Sequence, residues 1–209
     1  MTQNNSMNIR FNFLVLTVLF LTGLLSCVFP YPFFSSSVLV GKNAQTAIND
    51  YYETETSNEF VKNFKVLNLD WFDAIDQIFE RNKIVKVIDV DTLKYYYVQR
   101  GGGYNHADVE PINSENTQVF KSLYKEYSWT RRAVWVEIDG KYYAASINGM
   151  PHGFSLITDN NLDGHTCIHF LNSKTHGTKR VDPDHQQCVQ KAYDNSQKLA
   201  NFILGKKQI

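Results

Sequence analysis

The chain has 209 residues, with 21 lysines and arginines against 21 aspartates and glutamates, six histidines and three cysteines. Zero net charge and the lack of a basic stripe exclude nucleic acid as a partner class, and three cysteines are too few for a disulfide scaffold. The length suits one domain with a short lead-in.

The N-terminus carries Arg10 and then an apolar run from Phe11 to Leu25, broken only by Asn12, Thr17, Thr22 and Gly23. A short basic start, an apolar centre and small residues at its end are the marks of an export signal. The ending Leu24-Leu25-Ser26-Cys27 resembles a bacterial lipobox, which makes Cys27 the expected lipidation site. An uncleaved membrane helix is the alternative, since Phe11 to Phe29 is nearly long enough to span a bilayer. Either reading attaches the chain to the cell membrane by a lipid or a helix and places the rest outside the cytoplasm. Residues 1–27 are therefore read as signal or anchor, 28–60 as a tether and 61–209 as the folded domain. Pro30, Pro32 and Ser35-Ser36-Ser37 begin the tether, and a polar stretch without clean periodicity continues it.

The first helix is expected from Asp70 to Glu80, capped by Asp70, with Trp71, Ile75, Ile78 and Phe79 as its apolar stripe. Strands over Ile84–Val90 and Leu93–Gln99 form a hairpin about Asp91-Thr92. The triple glycine Gly101 to Gly103 opens a loop carrying His106, Asp108 and Glu110. It lacks the lysine and the strand-to-helix setting of a phosphate site. A helix from Ser114 to Tyr127 follows, capped by Asn113 or Ser114, with Val119, Phe120 and Leu123 inward. Arg132–Ile138 and Lys141–Ile147 make a second hairpin about Asp139-Gly140. A short strand is expected over Phe154–Ile157 and another over His165–Leu171. Asp182 then caps a last helix with Pro183 at its first position. The expected class is α+β, a β-rich single domain built on a mixed sheet or sandwich with flanking helices.

Five of the six histidines fall between His152 and His185, with Cys167 among them. Side chains alternate along a strand, so His165, Cys167 and His169 share one face, while Thr166, Ile168 and Phe170 share the other. A thiol between imidazoles can serve as a nucleophile with its base beside it, or it can hold a soft metal. An adjacent imidazolium would lower the thiol pKa and favour the first use. Zinc is the alternative, with His165, His169, His176, His106 and Asp108 as its candidate ligands and Glu110 or Asp184 as base. A third reading is a non-enzymatic wall-binding module whose histidines satisfy buried hydrogen bonds. Cys167 and Cys188 can also pair in an oxidising compartment, although Cys188 reads more simply as a small residue on the apolar face of the last helix.

The pattern His152-Gly153, a loop, then His165-Thr166-Cys167-Ile168-His169 resembles the catalytic signature of the YkuD-type L,D-transpeptidases. The resemblance implies His152 as general base, Cys167 as nucleophile and His165 as the histidine two residues before it. It gives Gly153, Thr166 and His169 to substrate binding, needs no cofactor and makes peptidoglycan stem peptides the substrate. Three positions depart from the family: Gly164 replaces the usual Ser or Thr, Thr166 the usual Gly, and His169 the usual Arg or Asn. The Gly at position 166 would have helped to build the oxyanion site. The stretch from His106-Ala107-Asp108 through His176-Gly177 also resembles a group of exported proteins of Firmicutes.

Overall fold

The computed structural model describes residues 42–205. The signal or anchor, including Cys27, lies outside them, as does the tether up to residue 41. The rest of the tether is helical: α1 spans Lys42–Asn63 with most of its described side chains exposed. Just beyond it, Phe64 packs against Tyr142 with ring centroids 5.7 Å apart. Among the described residues no helix is long and apolar enough to cross a membrane.

Asp70 caps the next helix as expected, its Oδ1 accepting from the amides of Phe72 at 2.8 Å and Asp73 at 3.2 Å. The helix opens as a π-helical turn, Trp71–Ile75, and closes as α2, Asp76–Ile78. The wider turn explains why Trp71, Ile75 and Phe79, spaced four apart, are all fully buried while Ile78 is only partly so. Strand β1 (Ile84–Asp89) and strand β2 (Tyr95–Gly102) form the expected antiparallel hairpin.

The expected loop around Asp108 is a strand, β3 (Ala107–Pro111). Helix α3 (Ser114–Lys121) stops short of Tyr127, with Asn113 accepting from the Asn116 amide at 3.0 Å as its cap. Strands β4 (Arg131–Ile138) and β5 (Lys141–Asn148) turn at Asp139 and Gly140, whose φ values of 50° and 74° suit a tight hairpin. Residues 154–157 form no strand. Strand β6 (Thr166–His169) follows, then α4 (Pro183–Asp194) and α5 (Ser196–Ile203), which divide the single expected helix at Asn195.

The chain is α+β and rich in strands, but neither a mixed sheet nor a sandwich. All pairings among the six strands are antiparallel, and the order β1-β2-β3-β6-β5-β4 closes into a barrel. Alternation of apolar and polar residues is common to sheets, sandwiches and barrels. Closure depends on β4 returning to β1, with Val87 opposite Val136, which no local pattern encodes. Val85, Val98, Val109, Val136, Ile147 and Ile168 fill the interior with Trp71, Phe79 and Phe120 from the helices. Outside, α4 and α5 cover β4 and β5. Trp135 lies with Val189, Ala192 and Leu199, and its indole N–H donates to the Ala192 carbonyl at 2.7 Å.

One buried ion pair ties the closure. Asp89 at the end of β1 is fully buried and receives Arg132 of β4 in a bidentate grip at 2.8 and 2.9 Å. Burial alone would raise the Asp89 pKa, but bonds from Arg132 and Thr92 and the Arg132 charge outweigh it and hold the carboxyl low. The group is charged when folded at pH values where the unfolded chain takes up its proton. Its contribution is therefore complete above the ordinary carboxylate range and is lost as pH falls through the lowered native value. Asp89→Asn is expected to cost about 3 kcal/mol, since it leaves Arg132 without its counter-charge. Urea unfolding at neutral pH measures it, and an unchanged midpoint would refute this role.

Candidate functional site

Strand parity assembles the site. On β5, Ala145 and Ile147 face the barrel interior, so Ser146 and Asn148 face outward. On β3, Ala107 and Val109 face inward, so His106 and Asp108 face outward; on β6, Ile168 faces inward and Cys167 and His169 outward. The registers set Asp108 opposite Cys167 and Ser146 opposite His169. The N-terminal turn of α4 lies over this face and adds His185.

His152 arrives from the loop after β5 and pairs with His165 in an isolated antiparallel bridge, each amide donating to the other's carbonyl at 2.9 Å. Its Nε2 lies 3.3 Å from Cys167 Sγ, and its Nδ1 lies 2.9 Å from the Met150 carbonyl. A carbonyl can only accept, so Nδ1 carries the ring proton and Nε2 turns a lone pair to the thiol. The expected nucleophile and base are thus within reach of each other. The expected imidazolium is not there. Burial, followed by the nearby imidazoles, lowers the His152 pKa despite the Met150 contact. Burial and the Asp108 carboxylate, with Oδ1 3.8 Å from the sulfur, push the thiol well above its ordinary value. The resting pair is neutral thiol and neutral imidazole.

Asp108 is the hub of the cluster. Its Oδ1 lies 3.1 Å from His176 Nε2, 3.3 Å from His106 Nε2 and 3.7 Å from His165 Nε2. Burial would raise its pKa, but the His106 contact and the charges of His165, His106 and His176 hold it down. Behind it three imidazoles stack: His106 on His169 at 4.4 Å, and His169 on His185 at 3.7 Å. His185 Nδ1 also meets Ser146 Oγ at 2.9 Å. Burial followed by neighbouring positive groups depresses two rings of this column, with the His169 pKa far below its ordinary value and that of His185 down at about 3.

The remaining expected residues fall as follows. His169 is buried in the stack and also lines the cavity beside Cys167. Thr166 has the parity of the barrel interior and is 1% exposed, so it offers the site no side chain. Gly153 is needed for space: at φ 69°, a Cβ there would come 2.5 Å from the His165 ring. His165 donates from Nδ1 to the Phe154 carbonyl at 3.1 Å. Glu110 is no free base, because its carboxylate accepts the amides of Leu156 at 2.7 Å and Ile157 at 3.0 Å and so anchors the loop once read as a strand. Asp184 is exposed on the first turn of α4. Cys167 and Cys188 are both free, and Cys188 is half-buried.

Two participants carried no signal of their own. Asn148 closes β5, its Oδ1 accepts the Met150 amide at 3.2 Å, and its side chain lines the same cavity as Cys167, where it lowers the thiol pKa in part against burial and Asp108. His185 sits in a helical turn and enters the site only through packing. A cavity of about 180 Å³, lined by Trp129, Asn148, His152, Cys167 and His176 among others, gives access to the thiol.

The fold and the cluster together define an antiparallel barrel domain with a cysteine–histidine–aspartate centre on its outer wall. No family model, no curated protein and no solved structure matches the chain.

Proposed function

We propose that the domain is a cysteine-dependent acyl transferase or peptidase of the cell envelope, acting on peptidoglycan stem peptides in the manner of the L,D-transpeptidases. One observation carries the reading: the 3.3 Å contact between Cys167 Sγ and the Nε2 of an imidazole whose tautomer is fixed by the Met150 carbonyl. A binding module has no need of a thiol so placed. The envelope location rests on the apolar run ending at Cys27, and the substrate class on the resemblance of the His152 to His169 motif.

Attack begins from the neutral pair. As Sγ bonds to the peptide carbonyl carbon, the thiol proton moves to His152 Nε2, a transfer typically worth 10²–10⁴-fold. The imidazolium that forms is favoured by the Met150 carbonyl and by the Asp108 charge. The Asn148 amide, in the same cavity lining, is the candidate donor to the oxyanion, a contact worth about 3 kcal/mol. Collapse breaks the C–N bond, and His152 returns the proton to the leaving amine. The thioester then passes its acyl group to an acceptor amine or to water.

Full-length protein incubated with peptidoglycan disaccharide-peptides should gain the mass of an acyl group, mapped to Cys167 by peptide mass spectrometry. No adduct on substrate-exposed protein, with Cys167 inert to small thiol reagents, would sink the reading.

A further inference from the structure

Three histidines of this site are held by the same ring nitrogen. His106 Nδ1 lies 2.5 Å from the Lys174 carbonyl, as His165 Nδ1 faces Phe154 and His152 Nδ1 faces Met150. A ring whose Nδ1 is held by a carbonyl turns its Nε2 inward, and for His106 and His165 that atom faces the Asp108 carboxylate. His106 is 1% exposed, and its Nε2 is buried with no hydrogen-bond partner; His165 Nε2 is in the same state. Imidazoles that donate Nδ1–H to carbonyls and present Nε2 to a common point are the usual supporting arrangement of a metal ligand set.

We infer that a zinc-like divalent cation binds to His106 Nε2, Asp108 Oδ1, Cys167 Sγ and His176 Nε2, and that it masks the nucleophile when bound. These four atoms lie within 4.8 Å of one another. Tetrahedral zinc with ordinary bond lengths puts nitrogen and oxygen ligands about 3.3 Å apart, and sulfur and oxygen about 3.5 Å apart. The corresponding separations are 3.1 and 3.3 Å from the two histidines to Asp108, and 3.8 Å from Cys167 to Asp108. A second grouping, His152, His165, Cys167 and His176, shares two of these residues. The set with Asp108 is preferred because carboxylate and thiolate together neutralise the dication in a buried place, where a net charge is costly. Binding forms the Zn–S bond and releases the thiol proton to solvent. The sulfur pair that would attack a carbonyl is then held by the metal.

The inference rests on the thiol reading only for its consequence; the metal site stands by itself. Zinc alone is titrated into the full-length, chelator-treated protein, and cobalt(II) is used in parallel to report sulfur ligation. One zinc per chain and a thiolate-to-cobalt charge-transfer band are expected. His106→Gln and His176→Gln should each weaken zinc by more than the roughly 10- to 100-fold that loss of a supporting partner costs. His176 is half exposed, so its replacement tests the site without burdening the fold. His152→Gln should keep the metal. Substoichiometric zinc, or binding that survives both His106→Gln and His176→Gln, would overturn the site. Loss of zinc in His152→Gln with retention in His106→Gln would overturn this ligand set. Acyl adduct formation on Cys167 should fall as zinc fills the site and return on chelation. Activity that instead requires zinc would leave the metal site intact and remove both the masking role and the thiol mechanism.

Discussion

Cys167→Ala is expected to abolish acyl transfer and hydrolysis on peptidoglycan fragments, a loss on the order of 10⁴-fold or more if the thiol is the nucleophile. His152→Ala should lose nearly as much, and the double variant little more, because nucleophile and base act as a unit. The geometry gives the reason. His152 Nε2 is the group facing Cys167 Sγ at 3.3 Å with its tautomer set to receive a proton. The thiol is pushed up by burial and by Asp108, so it supplies no thiolate without that base. Cys188→Ala is the control: it is half-buried on α4 and packs against the Trp135 cluster, and its loss should cost about 1 kcal/mol of stability with activity retained. Turnover of fragments by chromatography, with folding checked by circular dichroism, decides the matter. Residual activity in Cys167→Ala within tenfold of the parent would end the thiol mechanism.

Strand parity was legible because it needs only the period of two. Cys167 and His169 do share a face, and Ile168 and Phe170 are in the core. The caps Asp70, Asn113 and Asp182, and the turn at Asp139-Gly140, were legible for the same local reason. Asp108 was harder. Its strand is five residues long, has Ala107, Val109 and the terminal Pro111 on its inward parity, and so reads as a polar loop. Phe154–Ile157 misled in the opposite direction. Its apolar residues suggest a strand, but Phe154 is 90% exposed and the backbone amides beyond it are taken by Glu110. His185 was out of reach altogether, since it joins the site through the docking of α4 on β5. Barrel closure and the imidazole stack belong to this same long-range class. The ionisation of the dyad differs from the expectation too, because sequence proximity shows that imidazoles are near a thiol but not that burial depresses His152 and raises Cys167.

Gly164→Ser would restore the residue usual at that position in the family the motif resembles, and it is expected to damage this protein. Gly164 holds φ at 95°, a conformation that side chains with a Cβ rarely adopt. A Cβ there would lie 2.7 Å from the His152 carbonyl oxygen and 2.9 Å from its carbonyl carbon and its amide nitrogen. These are backbone atoms, so no side-chain rotation relieves the contact. The bridge between His152 and His165 has both of its N–H···O contacts at 2.9 Å, and it must open for the new atom to fit. Backbone strain and overpacking together should cost about 3 kcal/mol. Opening the bridge also moves His152 away from Cys167, and a misplacement near 1 Å can lower the rate on the order of 100-fold. Gly164→Ala tests the Cβ alone and should show most of both effects, whereas a substitution at Gly177, where a Cβ meets nothing within 4 Å, should leave stability unchanged. Stability by urea unfolding and turnover at a temperature where both variants are folded separate the two losses. Gly164→Ala with parental stability and rate would mean that the close approach of the two loops does not set the dyad.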